Sequence, residues 1–138
     1  TLLVSVMAAN NETGALQPLK EVGHLVRKLC PSAIFHTDAT QAVGKISLNV
    51  QSEFKDVDVL SFSAHKFHGP KGVGGVYLRP GVEVRPLLLG GGQEGGLRSG
   101  TTNVPGLAGL AAAAEDALTW DTEHVRKLRN DFEERLCV

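Results

Sequence analysis

Lys66 has the most chemistry available to it in this chain. It stands in Ser61-Phe62-Ser63-Ala64-His65-Lys66-Phe67-His68-Gly69-Pro70-Lys71-Gly72, directly after an apolar run from Val57 to Phe62. That run reads as a buried strand that stops at small and polar residues. A lysine just past such a strand is expected at the mouth of a cleft, partly desolvated. Desolvation disfavours the ammonium and raises the share of free amine. A free amine condenses with an aldehyde to give a Schiff base. The plain alternative is a solvated loop lysine, since lysine is mostly exposed. The residues around it decide between the two.

A lysine that holds an aldehyde cofactor needs an electron sink. Pyridoxal phosphate supplies one when its ring nitrogen stays protonated, and that requires a carboxylate nearby. Asp38 is the carboxylate placed for this, although it equally fits a helix N-cap with Thr40 and Gln41 in the first turn. The cofactor's phenolate oxygen wants neutral donors, which Asn11 or Gln41 can supply. Both also read as turn or surface amides. Ser63 and His65 offer a hydroxyl and an imidazole to a phosphate. They also read as a strand-end hydroxyl and a core or surface histidine.

Two further patterns are weaker. Gly90 to Thr102 combines glycine amides, Arg98 and hydroxyls in the manner of an anion site. It lacks the G-x-x-x-x-G-K-[ST] order, as does Gly69 to Gly75, so a nucleotide P-loop is not expected. His36-x-Asp38 and His65-x-x-His68 make poor metal sites, because a cation would compete with Lys66 and a third ligand is not evident. No metal is expected.

The elements that must position these residues are legible. Leu2 to Met7 reads as a buried strand, and Asn10-Asn11-Glu12-Thr13-Gly14 as a turn. Pro18 opens a helix at about Leu19, with Val22, Leu25, Val26 and Leu29 on one apolar face and Pro31 ending it. Ala33 to Thr37 is a second strand, and Thr40 to Val43 the start of a short helix. Val57 to Phe62 is the third strand and Val73 to Leu78 the fourth. The helix between the first two strands argues for a parallel pair. The third and fourth are too close in sequence for a helical crossover and are expected antiparallel. Gly90 to Gly100, with six glycines, is a loop. Pro105 to Leu118 is an Ala- and Leu-rich helix, and Trp120 to Leu136 a charged amphipathic second or continued helix. In open α/β sheets ligands bind outside the carboxyl ends of the strands. Asn10 and Asn11, Asp38 and Gln41, and Ser63, His65 and Lys66 each fall just past one of the first three strands.

Composition bounds the rest. The 138 residues suit one domain, and 42% hydrophobic against 21% charged residues suits a real core. A net charge of -1 with no basic run gives no reason to expect nucleic acid or an anionic membrane surface. Cys30 and Cys137 are far apart, so an intracellular setting, cytoplasmic or mitochondrial, is expected over a disulfide framework. Cys30 reads as a small core hydrophobe. A strand directly after Thr1 and a helix running to Val138 suggest a piece of a larger protein.

With those residues in view, the chain resembles the class V aminotransferase group of pyridoxal-phosphate enzymes, and within it the cysteine desulfurases and selenocysteine lyases. Four motifs in the family's order carry the likeness: Asn10 to Gly14, His36 to Gln41, Ser61 to Lys66 with Gly69 to Gly72, and Arg98 to Thr101. The likeness runs to about Leu118 and covers a central part of a family member.

The resemblance implies a pyridoxal-phosphate-dependent transferase of fold type I, seen in part of its large domain with a mainly parallel sheet. Residues 1–90 would be the cofactor-binding sheet core, 91–103 a glycine-rich loop, and 104–138 a helical segment leading toward the small domain. It implies that Lys66 carries the Schiff base, Asp38 pairs the pyridine nitrogen, Asn11 and Gln41 meet the ring oxygen, and Ser63 and His65 bind the phosphate. Thr101 resembles a residue that reaches the phosphate of the neighbouring subunit's cofactor in a homodimer. The implied substrate is L-cysteine or selenocysteine, with a sulfur-acceptor protein as partner. The family's ring-stacking histidine would precede Thr1. Its persulfide cysteine and substrate arginine would lie beyond this chain, and Cys137 does not match that cysteine. The alternatives are another aminotransferase of the group, or a truncated non-catalytic fragment.

Overall fold

A computed structural model describes residues 1–136. The chain runs β1 (Leu3–Met7), α1 (Leu19–Leu29), β2 (Ile34–Asp38), β3 (Val59–Ser63), a 3-10 turn (Ala64–Phe67), β4 (Gly74–Leu78), a second 3-10 turn (Gln93–Gly96), α2 (Val104–Ala117) and α3 (Thr122–Leu136). The four strands form one sheet in the order β1-β2-β3-β4. β1 and β2 are parallel, as are β2 and β3, while β4 returns antiparallel to β3. Both orientations expected from connection lengths are therefore observed.

The inner face of the sheet packs on α1. Phe35 is fully buried there beside Leu60, Leu19 and Val26, with Val4, Val6 and Phe62 packed around them. The apolar stripe of α1 is rotated from the expected one. Leu19, Gly23 and Val26 are buried, whereas Leu25 and Leu29 are 50% and 71% exposed. Gly23 sets this rotation. A β-carbon there would stand 2.9 Å from Asp56 Cβ and 3.2 Å from the Phe35 ring, so glycine lets the helix lie this close to β2 and to the segment before β3. Cys30 closes α1, half-buried against the core, as expected of a small hydrophobe.

β1 is not the buried strand its composition suggests. Leu3, Ser5 and Met7 are exposed, and only Val4 and Val6 turn inward. It is an edge strand, and alternation leaves one side of it open. The same open face carries His36 and Asp38 on β2 and Ser61 on β3. His36 holds two hydroxyls across it, Ser5 Oγ at 2.7 Å from Nδ1 and Ser61 Oγ at 3.0 Å from Nε2.

The opposite end of the sheet is pinned by a charge cluster. Asp58, 1% exposed, pairs with Arg27 of α1 and Arg79 after β4, and accepts the Phe35 N–H at 2.7 Å. Arg27 also donates to the carbonyls of Ala33 and Asp56.

α2 and α3 are separate helices. Asn103 caps α2, its Oδ1 accepting the Gly106 N–H at 3.0 Å, with Pro105 in the first turn. Asp121 starts α3 by accepting the His124 N–H at 2.9 Å. α2 packs Ala113 and Leu110 against Phe67. α3 has no buried residue among those described. Among the described residues no helix is long and apolar enough to cross a membrane.

Candidate active site

Three adjacent parallel strands bring their carboxyl ends to one edge, and six of the seven candidate residues lie there. Asn11 follows β1, Asp38 ends β2 with Gln41 just beyond, Ser63 ends β3, and His65 and Lys66 follow in the 3-10 turn. Backbone bonds lock the strand ends together. Ala8 N–H donates to the Asp38 carbonyl and Ala39 N–H to the Ser61 carbonyl, each at 2.8 Å.

The turn after β1 separates its two asparagines by task. Asn10 Oδ1 accepts from the backbone of Glu12 and Thr13, both at 2.9 Å, and from the Thr13 hydroxyl at 3.1 Å. Asn10 is therefore consumed in shaping the turn. Asn11 is exposed and makes no side-chain hydrogen bond among the described residues.

Asp38 performs the capping that its spacing allowed, with one oxygen. Its Oδ1 accepts the Thr40 N–H at 2.8 Å, and Oδ2 has no partner among the described residues. The cap opens a coil from Ala39 to Ile46, with Val43 N–H on the Ala39 carbonyl at 3.0 Å. Gln41 is half-buried on that coil.

Lys66 departs from its expectation of partial desolvation. It is exposed, as is His65, while Ala64 and Phe67 are buried. The cause is the 3-10 turn. Three residues per turn stack positions 64 and 67 on one side, so 65 and 66 face away from the protein. His68 closes the turn at φ 67°, and Gly69 follows packed on Ala64. The Lys66 amine makes no hydrogen bond among the described residues, which leaves it accessible.

Thr101 is exposed in the loop before α2, and among the described residues no hydrogen bond joins it to the strand-end cluster. The glycine-rich loop before it is bonded to itself. Buried Ser99 donates from Oγ to the Gly91 carbonyl at 2.6 Å, and Gly100 N–H reaches Gln93 Oε1 at 3.2 Å. Two of the donors expected for an anion are thereby occupied.

Sequence reasoning passed over Lys45 and Asp58. Lys45 donates from Nζ to the carbonyl oxygen of Lys66 at 3.0 Å. Burial, and then the nearby Lys66 charge, push its pKa below the ordinary lysine value. A signal existed for Asp58: a carboxylate inside the apolar run Val57-Asp58-Val59-Leu60 demands cationic partners.

The mainly parallel sheet with a lysine turn at its carboxyl edge is the architecture of an aminotransferase-like domain. The chain belongs to the aminotransferase class-V family, whose model matches residues 1–137. It is 50% identical over 141 residues to the cysteine desulfurase of Nostoc sp. (strain PCC 7120), covering all of this chain and 34% of that protein. A solved NifS-like protein superimposes with a TM-score of 0.92 at 50% identity, over 99% of this chain and 38% of that one. The structure of SspA in complex with cysteine matches with a TM-score of 0.76 at 40% identity, over 83% of this chain and 32% of that one. The chain thus spans about a third of the length of the curated relatives it matches.

Proposed function

We propose that this chain is the lysine-bearing part of a pyridoxal-phosphate-dependent cysteine desulfurase. The observation that carries the reading is the accessible Lys66 amine in the turn that follows β3, the strand beside the one Asp38 ends, with Asp38 Oδ2 unpaired among the described residues. An unpaired carboxylate oxygen and an unpaired amine at one sheet edge fit a cofactor that needs both. Pyridoxal phosphate, when bound, supplies an electron sink for the bond changes at the substrate Cα.

The residues divide the work. Lys66 Nζ would hold the cofactor through its aldehyde carbon, and the same amine would move the substrate Cα proton. Asp38 Oδ2 holds the proton on the ring nitrogen. Asn11 and Gln41 donate to the ring oxygen. The Ser63 hydroxyl and His65 imidazole bind the phosphate. Thr101, in the loop before α2, serves the phosphate of the second subunit's cofactor in a homodimer. Within this assignment residues 1–90 are the cofactor-binding sheet core, 91–103 the glycine-rich loop and 104–138 a helical segment leading toward the small domain. L-Cysteine is the substrate, and similarity to a protein solved with cysteine supports that choice.

The position of Cys30 argues against its being the sulfur-accepting thiol. Cys30 lies between the end of α1 and the start of β2, at the edge of the sheet opposite Lys66. Cys137 lies outside the described residues.

Borohydride reduction of the protein expressed in its complete reading frame, followed by peptide mapping, tests the reading. A pyridoxyl group on the Lys66 peptide is expected. A group fixed on any other peptide removes Lys66 from its role.

A further inference from the structure

Lys45 and its neighbour Gly44 grip the turn that carries Lys66. The coil they belong to starts at Asp38 and closes through Val43 N–H to Ala39 and Ile46 N–H to Ala42, at 3.0 and 3.1 Å. Gly44 has φ 77°, a conformation that favours glycine. A β-carbon there would stand 3.0 Å from Phe67 Cβ and 3.3 Å from Ala117 Cβ. The absent side chain lets the coil close directly on Phe67. The next residue, Lys45, reaches the main-chain oxygen of Lys66 at 3.0 Å. Consecutive residues 44 and 45 thus hold consecutive residues 67 and 66, one by packing and the other by a hydrogen bond.

We propose that Lys45 is a positioning residue for Lys66, anchoring its main chain to the coil that Asp38 caps. The proposal rests on the reading of Lys66 as the cofactor lysine. Two considerations support it. A 3-10 turn has poor hydrogen-bond geometry, and carbonyls near its end need outside donors. A charge-assisted bond from an ammonium is a strong one. The functional demand is specific. The Lys66 side chain has to swing between cofactor and substrate, so its backbone must stay fixed relative to Asp38. Lys45 ties the two carriers together: Asp38 opens the coil, and Lys45 joins that coil to Lys66.

The test uses the protein from its complete reading frame, stripped of cofactor. Pyridoxal phosphate is added, and the rate of borohydride-fixable adduct at Lys66 is followed in wild type, Lys45→Met and Lys45→Arg. Lys45→Met, which keeps the length of the chain and loses the donor, is expected to form the adduct at least about tenfold more slowly. Lys45→Arg is expected to restore the rate to within about threefold of wild type. The thermal midpoint of the cofactor-free Met variant should stay within about 2 °C of wild type. A wild-type adduct rate in Lys45→Met overturns the proposal while leaving the cofactor reading intact. A slow rate that Arg does not restore, accompanied by a lower midpoint, also overturns it, because the role is then structural alone. If Lys45→Met does not fold, Lys45→Gln, too short to reach, takes its place under the same criteria. Absence of any Lys66 adduct in wild type removes the cofactor reading and this proposal with it.

Discussion

Asp58 accepts the backbone N–H of Phe35 at 2.7 Å, and this bond joins the starts of β2 and β3 at the end of the sheet farthest from Lys66. The same carboxylate neutralises Arg27 and Arg79. Its removal strands a buried N–H and two cations at once. The arginine side chains are 22% and 39% exposed, so water relieves part of their penalty. Asp58→Ala is expected to destabilise the protein by about 3 kcal/mol, read from urea unfolding. A loss below about 0.5 kcal/mol, the range of an ordinary surface change, would show that the cluster is not a clamp.

Lys45 gives a pH dependence with a definite sign. Burial, then Lys66, lowers its pKa from 10.5 in the folded state. Between the lowered value and 10.5 the unfolded chain therefore holds more protons than the folded one. Stability contributed at this position rises with pH across that window. In paired unfolding curves, wild type should gain on Lys45→Met as pH climbs toward 10.5. A gain in the opposite direction would mean that the folded state prefers the charged amine.

Much of this was legible beforehand, and the misses share a cause. Sequence spacing identified the parallel order, the antiparallel return and the three strand-end clusters, because these follow from connection lengths and from where apolar runs stop. The rotation of α1 was not legible. Leu25 and Leu29 satisfy the helical period as well as Leu19 and Val26 do, and the close approach at Gly23 decides between them. The exposure of β1 depended on its place at the sheet edge, which its own residues do not encode. The exposure of Lys66 followed from the local change to a 3-10 turn. Lys45 was hidden because its partner is a backbone oxygen 21 positions away, and a backbone oxygen leaves no mark in residue types.

The two oxygens of Asp38 allow its two roles to be separated. Asn at this position keeps an oxygen for the Thr40 N–H and loses the charge, whereas Ala loses both. Asp38→Asn should therefore remain within a few tenths of a kcal/mol of wild type, while Asp38→Ala loses about 1 kcal/mol. Turnover of L-cysteine should fall by about a hundredfold or more in both, on the scale of removing one electrostatic stabiliser. Near-normal turnover in Asp38→Asn would leave the cap as the residue's whole role.

The 138 residues expressed alone are expected to release no sulfide from L-cysteine, even with pyridoxal phosphate added. On the proposed reading this site holds a cofactor and moves a proton, but sulfur transfer also needs a thiol beside the substrate. Cys30 stands at the far edge of the sheet, half-buried against the core. The single chain also exposes Leu87, Leu89 and Leu118 at 92%, 81% and 88%, and the outward residues of α3. Apolar surface of that extent favours association. The chain alone should therefore bind a hydrophobic dye and elute as oligomers on size exclusion. The assay combines L-cysteine, a reducing thiol and pyridoxal phosphate, with sulfide and alanine both measured. Sustained release of the two products in equal amounts would place the sulfur acceptor within this chain. Cys30→Ser and Cys137→Ser would then identify which cysteine carries it.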